Sequence, residues 1–412
     1  MKSRSPVARD LVLIGGGHSH TILLRRLAMK PLAGLQVTLV SPEVSTTYSG
    51  MLPGVVAGHY DSEDIHIDLV RLCRFAGARF FKTNAFSIDP VAKTVACDGR
   101  PPVSYDVLSI DTGITPSLDG TPGARENVIA VKPIGLFLQK WERFHQRALA
   151  GDVRDVAFVG AGAGGVELCM AAMHRMQRDL PDNEIRFHLI SDQEVILPEF
   201  DDGTRRRFER HCGRRGVELH LDFPVTRVAR GTLISAHGDS LDMDEIFWVT
   251  SAAAPAWLAD TGISVSDDGF ITVRNTLQTH SHDEIFATGD IAVLTDHPRP
   301  RAGVFAVRQG PVLARNSRRY LLGKSLRSWR PQKEFLRLIT TGDRYAVACR
   351  NGRSIEGRWV WHWKNWIDKR FIRRFSKLPP VKVEKYSGLL KEFETVHCGG
   401  CGVKVGADIL YD

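Results

Sequence analysis

The sequence predicts an α/β protein built on two Rossmann-like units, from three observations. A short apolar run enters a glycine turn and then a helix with an apolar stripe at residues 11–27, LVLIGGGHSHTILLRRL. The same strand–turn–helix order returns at residues 155–176, DVAFVGAGAGGVELCMAAMHRM. Each is followed by a second β-rich run, LQVTLVS and EIRFHLISD, which completes a βαβ unit of about 30 residues.

Taken in order, Asp10–Ile14 is the first strand. From His18 to Lys30, residues Ile22, Leu23, Leu24 and Leu27 fall at helical spacing, and Pro31 and Gly34 end the run. In a dinucleotide turn the first glycine permits the tight turn, the second admits the pyrophosphate, and the third lets the helix pack closely. Gly15 and Gly17 hold the first two places, but His20 holds the third, which should push the helix slightly outward. His18 and His20 read either as structural residues of the first helical turn or as donors to the phosphates. Ser41 stands where an acidic residue would grip a ribose.

The runs KTVACDG and YDVLSIDTG, bounded by Gly, Pro and Asp, read as strands of a small antiparallel insert. The second unit has all three glycines, Gly160, Gly162 and Gly165, followed by Glu167. Its helix is rich in good helix formers. At the end of its second strand, Ser191 again replaces a carboxylate. This removes a repulsion against a 2′-phosphate. Arg205–Arg206–Arg207 could supply positive charge there, or form a solvated helix face. VELHLDFPVTRVARGTLIS and DEIFWVTSAAAP repeat the antiparallel pattern. Farther on, TLQTHSHDEIFATGD carries a buried-type strand that ends in Gly289-Asp290 and places a carboxylate at a strand C-terminus.

The order of glycine turn, YDVLSIDTG, second glycine turn with Glu, then FATGD resembles the flavoproteins with two dinucleotide-binding domains. The type II NADH dehydrogenase branch and related quinone reductases are the nearest in pattern. The resemblance covers roughly residues 9–377. It implies an FAD-binding domain at 1–118 and 268–325, interrupted by an NAD(P)H-binding domain at 119–267. Residues 326–378 would be a C-terminal interface region with an amphipathic helix, and 379–412 a linker and a further segment. By the same resemblance, Gly113 closes the crossing strand and Asp290 meets the flavin. Arg301 and Gln309 belong to a stretch under the isoalloxazine, and Glu167 sits near the nicotinamide–flavin contact. Tyr48, in TTYSGMLPG, reads as a flavin neighbour or as a core aromatic. That stretch holds no cysteine pair, so no redox disulfide is expected and positioning carries the hydride transfer. Cys169 and Cys349 raise a sulfide:quinone reductase alternative, although Cys169 lies in a helix of core-like composition.

GRWVWHWKNWIDKRFIRRFSKLP is the most unusual composition in the chain. Trp359, Trp363, Trp366 and Ile367 form a stripe that Phe371 and Phe375 extend, among seven Lys and Arg residues and the single Asp368. It reads as a helix packed on its own domain with a solvated basic face, or as one lying on a membrane surface. No nucleic-acid motif accompanies it.

The final HCGGCGVKVG has a single C-x-x-C, without the second pair a zinc site needs, so no metal is expected. It resembles the opening of selenophosphate synthetase (selenide, water dikinase), where a catalytic Cys is followed by Lys. Cys401 and Lys404 match that pair. The resemblance implies the oxidoreductase half of a fusion, ending just past the joint, with the synthetase body as missing partner. The expected function is FAD-dependent transfer of hydride from NAD(P)H to a small-molecule acceptor, a quinone or a selenium or sulfur species. The rival is a docking or redox-sensing module of the fused transferase.

Composition fits this frame. The chain has 412 residues, enough for two to four domains, with 43% hydrophobic and 25% charged residues and a net charge of +8. Seven scattered cysteines do not form a secreted disulfide framework, so a reducing, cytoplasmic setting is expected, with peripheral contact to the inner face of a membrane as the variant. No run of 18 apolar residues occurs.

Overall fold

The computed structural model describes residues 7–379, apart from 117, 119, 183 and 251. Two all-parallel sheets of five strands organise it. The first has the order Ile285–Ala287, Val107–Ile110, Arg9–Ile14, Leu35–Ser41, Arg79–Lys82. The second has the order Ile129–Ala130, Glu245–Trp248, Asp155–Val159, Arg186–Ile190, Val217–His220. In each, the strand entering the glycine turn is central and buried on both faces. This explains why those strands read as unbroken apolar runs rather than alternating ones.

Two expectations are corrected here. Val107–Ile110, from YDVLSIDTG, is not part of an antiparallel insert. It lies between Arg9–Ile14 and Ile285–Ala287, parallel to both and wholly buried. Glu245–Trp248 and Val217–His220 likewise belong to the second parallel sheet. Two three-stranded antiparallel inserts do form, from Ala85–Asp89, Thr94–Cys97 and Arg100–Ser104, and from Val225–Ala229, Thr232–Ser235 and Ser240–Asp242.

Four strands of the first sheet precede the second sheet in sequence, and Ile285–Ala287 rejoins the first after it. The outgoing Thr115–Pro116 pairs antiparallel with the returning Ala252–Ala253. Helix His18–Met29 packs against helix Gly303–Leu321 so closely that a Cβ on Gly310 would lie 2.8 Å from the Ile22 Cβ. A last antiparallel sheet, Arg337–Thr340, Ala346–Arg350 and Arg353–Gly357, leads into helix Arg358–Ser376. Among the described residues no helix is long and apolar enough to cross a membrane.

Candidate active site

The first glycine turn sits at the C-terminal end of Arg9–Ile14. Gly15 adopts φ +90°, and a Cβ there would lie 2.4 Å from the Asp111 carbonyl oxygen, an approach only glycine permits. A Cβ on Gly17 would lie 2.2–2.4 Å from three atoms of the Asp111 carboxyl. That buried carboxyl accepts the backbone N–H groups of Ser19 and His20 on Oδ2 at 2.9 and 3.1 Å. It thereby satisfies two of the four N–H groups that a helix leaves open at its start. Burial is the main cause that pushes its pKa up to about 8. The His20 and Ser19 N–H groups oppose the rise and Asp290 adds to it. Sequence reasoning missed Asp111, although an acid inside a buried strand motif was the signal for it.

His20 takes the structural of its two readings. Its ring is fully buried, with Nδ1 2.6 Å from the Gly15 carbonyl oxygen and Nε2 2.8 Å from the Ser109 hydroxyl. Both nitrogens are used inside the protein, so the residue braces the turn and is not a phosphate donor. Burial holds its pKa down to about 4. His18 is the opposite case. It lines the open side of the turn, and its Nε2 is buried with no hydrogen-bond partner among the described residues. Burial lowers its pKa to about 4 against the pull of Asp290, so the ring is neutral.

A cleft of about 620 Å³ runs from this turn past Ser41 and Gly113 to Gly289-Asp290. The Ser41 hydroxyl donates to the Glu43 carbonyl oxygen at 3.0 Å and accepts the Glu43 N–H at 3.3 Å. Glu43 also lines the cleft, so the carboxylate absent at position 41 returns two residues later. At the far end Asp290 pairs with Lys132 at 3.4 Å, a partner that sequence reasoning also missed. Gln309 is buried and accepts the Gly289 N–H at 2.6 Å, so it fixes the Gly-Asp turn from behind. The Arg301 guanidinium lies 3.5 Å from the Phe270 ring centroid and lines a smaller recess beside Asp290. Gly303 and Ala306, at the start of the next helix, reach the main cleft instead.

Tyr48 and Glu167 flank a buried ion pair on helix Arg358–Ser376. The Tyr48 hydroxyl donates to Asp368 Oδ1 at 3.1 Å. Lys364 Nζ donates to Asp368 Oδ2 at 2.8 Å and to the Gly50 carbonyl oxygen at 2.6 Å. The Tyr48 ring lies 4.7 Å from Phe371 and 5.5 Å from His18, centroid to centroid, which ties this helix to the mouth of the cleft. Burial first, and Asp368 second, raise the Tyr48 pKa, so the phenol stays protonated. Glu167 Oε1 accepts the Thr340 N–H at 2.7 Å and the Thr340 hydroxyl at 3.1 Å. Burial raises its pKa, while Lys364 and Thr340 oppose the rise. Burial works against the Lys364 cation, yet Asp368 and Glu167 hold its pKa above the ordinary value. The lone acid in a basic helix, four residues after Lys364, was the available signal for this pair.

The aromatic stripe expected along this helix divides, which is a further correction. Trp359, Trp363 and Trp366 are exposed, whereas Phe371 and Phe375 turn inward to the core beneath the first sheet. The helix carries two aromatic faces, and Lys364 lies on the inner one.

At the second turn, a Cβ on Gly165 would lie 1.7 Å from the Gly160 carbonyl oxygen, so helix and turn meet at glycine distance. The Cβ position of Gly162, by contrast, has nothing within 4 Å. Ser191 is buried and its hydroxyl accepts the Gln193 N–H at 3.1 Å. Arg205 pairs with Asp202 and Arg207 with Glu356, while Arg206 is exposed. The five described cysteines are free and buried. Burial keeps Cys169 well above the usual thiol range and pushes Cys349 up to about 11, so neither is a ready thiolate. Cys401, Lys404 and the synthetase-like segment lie outside the described residues.

The pattern that defines the pyridine nucleotide-disulphide oxidoreductases matches residues 9–310. The chain is 25% identical over 295 residues to the NADH dehydrogenase-like protein YutJ of Bacillus subtilis, covering 70% of this chain and 78% of that protein. It is 20% identical over 388 residues to the type II NADH:quinone oxidoreductase of Staphylococcus haemolyticus, covering 88% and 95%. In fold it is similar to the sulfide:quinone oxidoreductase of Aquifex aeolicus, with TM-score 0.77 and 18% identity over 97% of this chain and 100% of that one. It is also similar to NDH2 of Plasmodium falciparum in complex with NADH, with TM-score 0.75 and 15% identity over 89% and 98%.

Proposed function

The chain belongs to the pyridine nucleotide-disulphide oxidoreductase family, and on that premise we propose that it is an FAD-dependent oxidoreductase carrying hydride from NAD(P)H to a quinone. One observation carries this reading. The glycine turn, the orphaned His18 Nε2 and Asp290 face a single continuous cleft. The residues fit an adenine dinucleotide. Gly15–Gly17 leave room for main-chain approach to a pyrophosphate, Glu43 stands at the strand end where a ribose is gripped, and Asp290 offers an acceptor for ribityl hydroxyls. FAD, bound there, would supply the two-electron chemistry.

The chain's own residues orient and shield. His18 is neutral and available to donate or accept one hydrogen bond. Protonated Tyr48 and the Lys364–Asp368 pair hold the terminal helix against the mouth of the cleft. Gly162, with open space at its Cβ position, is where the nicotinamide dinucleotide would pass closest to main chain. Glu167 acts as a positioning residue, its Oε1 fixed by Thr340 and its charge set toward Lys364.

On this reading FAD binds the residues 1–118 and 268–325, and NAD(P)H the residues 119–267. A quinone is favoured as acceptor because the match to the type II NADH:quinone oxidoreductase spans nearly the whole of that protein. The buried, protonated state of Cys169 and Cys349 gives no support to a sulfur relay. Exposed Trp359, Trp363 and Trp366 would rest on a membrane surface, where quinones reside. The test is an anaerobic titration of purified protein with NADH and with NADPH, read at the flavin absorbance, then reoxidation by a soluble quinone. Colourless protein that does not take up FAD, or flavin that neither nucleotide bleaches, defeats the reading.

A further inference from the structure

At the edge of the second sheet, outside everything used above, three ligating side chains converge on one point. His188 stands on Arg186–Ile190, and Glu218 and His220 on the neighbouring Val217–His220, with His188 in register opposite Glu218. Residues two apart on a strand share a face, so Glu218 and His220 lie on the same side. His188 Nδ1 is 3.1 Å from His220 Nε2 and 3.4 Å from Glu218 Oε2, and all three ligand atoms lie within 4.8 Å of one another. Zinc bonds to nitrogen and oxygen of about 2.0–2.2 Å set tetrahedral ligand–ligand edges of about 3.3–3.6 Å. Two edges of such a tetrahedron are therefore close to formed.

A second observation fixes the direction of the lone pair. His188 Nε2 is 3.0 Å from Asp155 Oδ1, and Asp155 is itself held by Arg186 Nη2 at 2.6 Å. Donation of Nε2–H to Asp155 leaves Nδ1 of the neutral ring as a bare acceptor, aimed at a carboxylate oxygen that is also an acceptor. With His220 Nε2 also 3.1 Å from Nδ1, a cation placed among the three atoms would meet one lone pair from each. A histidine that donates its remote N–H to a carboxylate is the usual support of a metal-bound imidazole.

We infer that His188, Glu218 and His220 bind one zinc-class divalent cation, which clamps the edge strand Val217–His220 to its neighbour. Water fills the fourth position, on the side where Glu218 is exposed. The Ser191 N–H donates to the His220 carbonyl oxygen at 2.9 Å, so the clamp also braces the strand end that carries Ser191. The competing arrangement is metal-free, with the His220 Nε2–H donated to His188 Nδ1.

The test uses the full chain with FAD bound, in a Cys398→Ser, Cys401→Ser background so that the tail thiols take no metal. After removal of metal by chelator, titration calorimetry with zinc chloride is expected to show one equivalent bound, and zinc to raise the thermal midpoint. His220→Ala should abolish this binding. Glu218→Gln, at an exposed position that leaves the fold intact, should weaken it. Asp155→Asn should weaken it about 10–100-fold through the loss of its support. Absence of zinc uptake in the parent overturns the inference. So does uptake undiminished by Glu218→Gln and His220→Ala together.

Discussion

Replacing Gly17 with alanine isolates the role of Asp111. Gly17 has φ −62° and ψ 170°, a conformation alanine adopts freely, so the substitution carries no backbone strain. Its whole cost comes from a Cβ placed 2.2–2.4 Å from the Asp111 carboxyl. The carboxyl cannot yield toward Gly289, whose own Cβ position lies 2.2 Å from Asp111 Oδ1. It must instead leave the Ser19 and His20 N–H groups. Below its raised pKa the carboxyl is neutral, and each such bond contributes about 0.5–1.5 kcal/mol. The loss at pH 7 is therefore roughly 1–3 kcal/mol. At about 2–4 °C per kcal/mol for a domain of 150–250 residues, the thermal midpoint should fall by roughly 2–12 °C. Flavin per polypeptide should fall with it, since the displaced carboxyl moves toward the cleft. The decisive assay is the double variant Gly17→Ala, Asp111→Ala. Removing the carboxyl removes the clash, so Gly17→Ala should cost almost nothing in that background. If the Gly17→Ala penalty is the same with and without Asp111, the packing argument is wrong.

Other consequences are as specific. Gly162→Ala adds a methyl into open space at φ −71°, so stability should change by no more than about 0.5 kcal/mol while flavin reduction by NAD(P)H slows; reduction at the unmodified rate would remove Gly162 from the nucleotide path. Asp111 has a folded pKa of about 8 against an ordinary 3.8, so the folded state retains a proton that the unfolded chain has lost. Its contribution to stability is complete below about pH 4 and declines up to about pH 8, by up to about 1.4 kcal/mol per pH unit. Asp111→Asn should flatten the profile of thermal midpoint over that window, and parallel profiles would contradict the assignment. Lys364→Met leaves Asp368 buried without its cation and should cost about 3–5 kcal/mol in denaturant unfolding, with much of the loss recovered by Lys364→Met, Asp368→Leu. Replacing Trp359, Trp363 and Trp366 together with alanine should reduce sedimentation with anionic liposomes and leave flavin content unchanged; equal pelleting would show that this face does not dock.

Much of the fold was legible because parallel sheets buried on both faces leave a distinctive trace. LVLI and VAFV are apolar without alternation, and glycines follow each immediately. The same trace was present in VLSI and EIFW, yet their flanking turn residues made them look like meander strands. Flanking residues report where a strand stops, while the fully buried pattern reports which sheet it joins, and here the second signal is the one that matters. The cleft was half legible. Gly15, Gly17, Gly289 and Asp290 announce themselves by spacing, whereas Lys132 and Tyr48 acquire their polar partners, Asp290 and Asp368, only across 158 and 320 residues of chain. His20 stayed open between two readings for a related reason. A polar residue in a glycine turn suggests a ligand contact, and only the structure shows Ser109 waiting on the neighbouring strand to receive its ring.

Helix Arg358–Ser376 shows how one segment can serve the site without lining it. Its inner face is fastened at several points: Lys364 to Gly50, Asp368 to Tyr48, Asn365 to the Tyr60 hydroxyl at 2.9 Å, and Phe371 and Phe375 into the core. Releasing it would expose two phenylalanines and strip the buried Lys364–Asp368 pair of the Gly50 carbonyl and the Tyr48 hydroxyl, so it is a fixed part of the fold rather than a detachable arm. Its outer face presents Trp359 and Trp363 with ring centroids 6.4 Å apart, and Arg370 lies 5.1 Å from the Trp366 ring. Both faces belong to one helix of 19 residues, about 28 Å long. Whatever docks on the tryptophans is therefore held within one helix length of Tyr48 and His18. That spacing suits an acceptor that arrives along a surface and reacts at the mouth of a cleft.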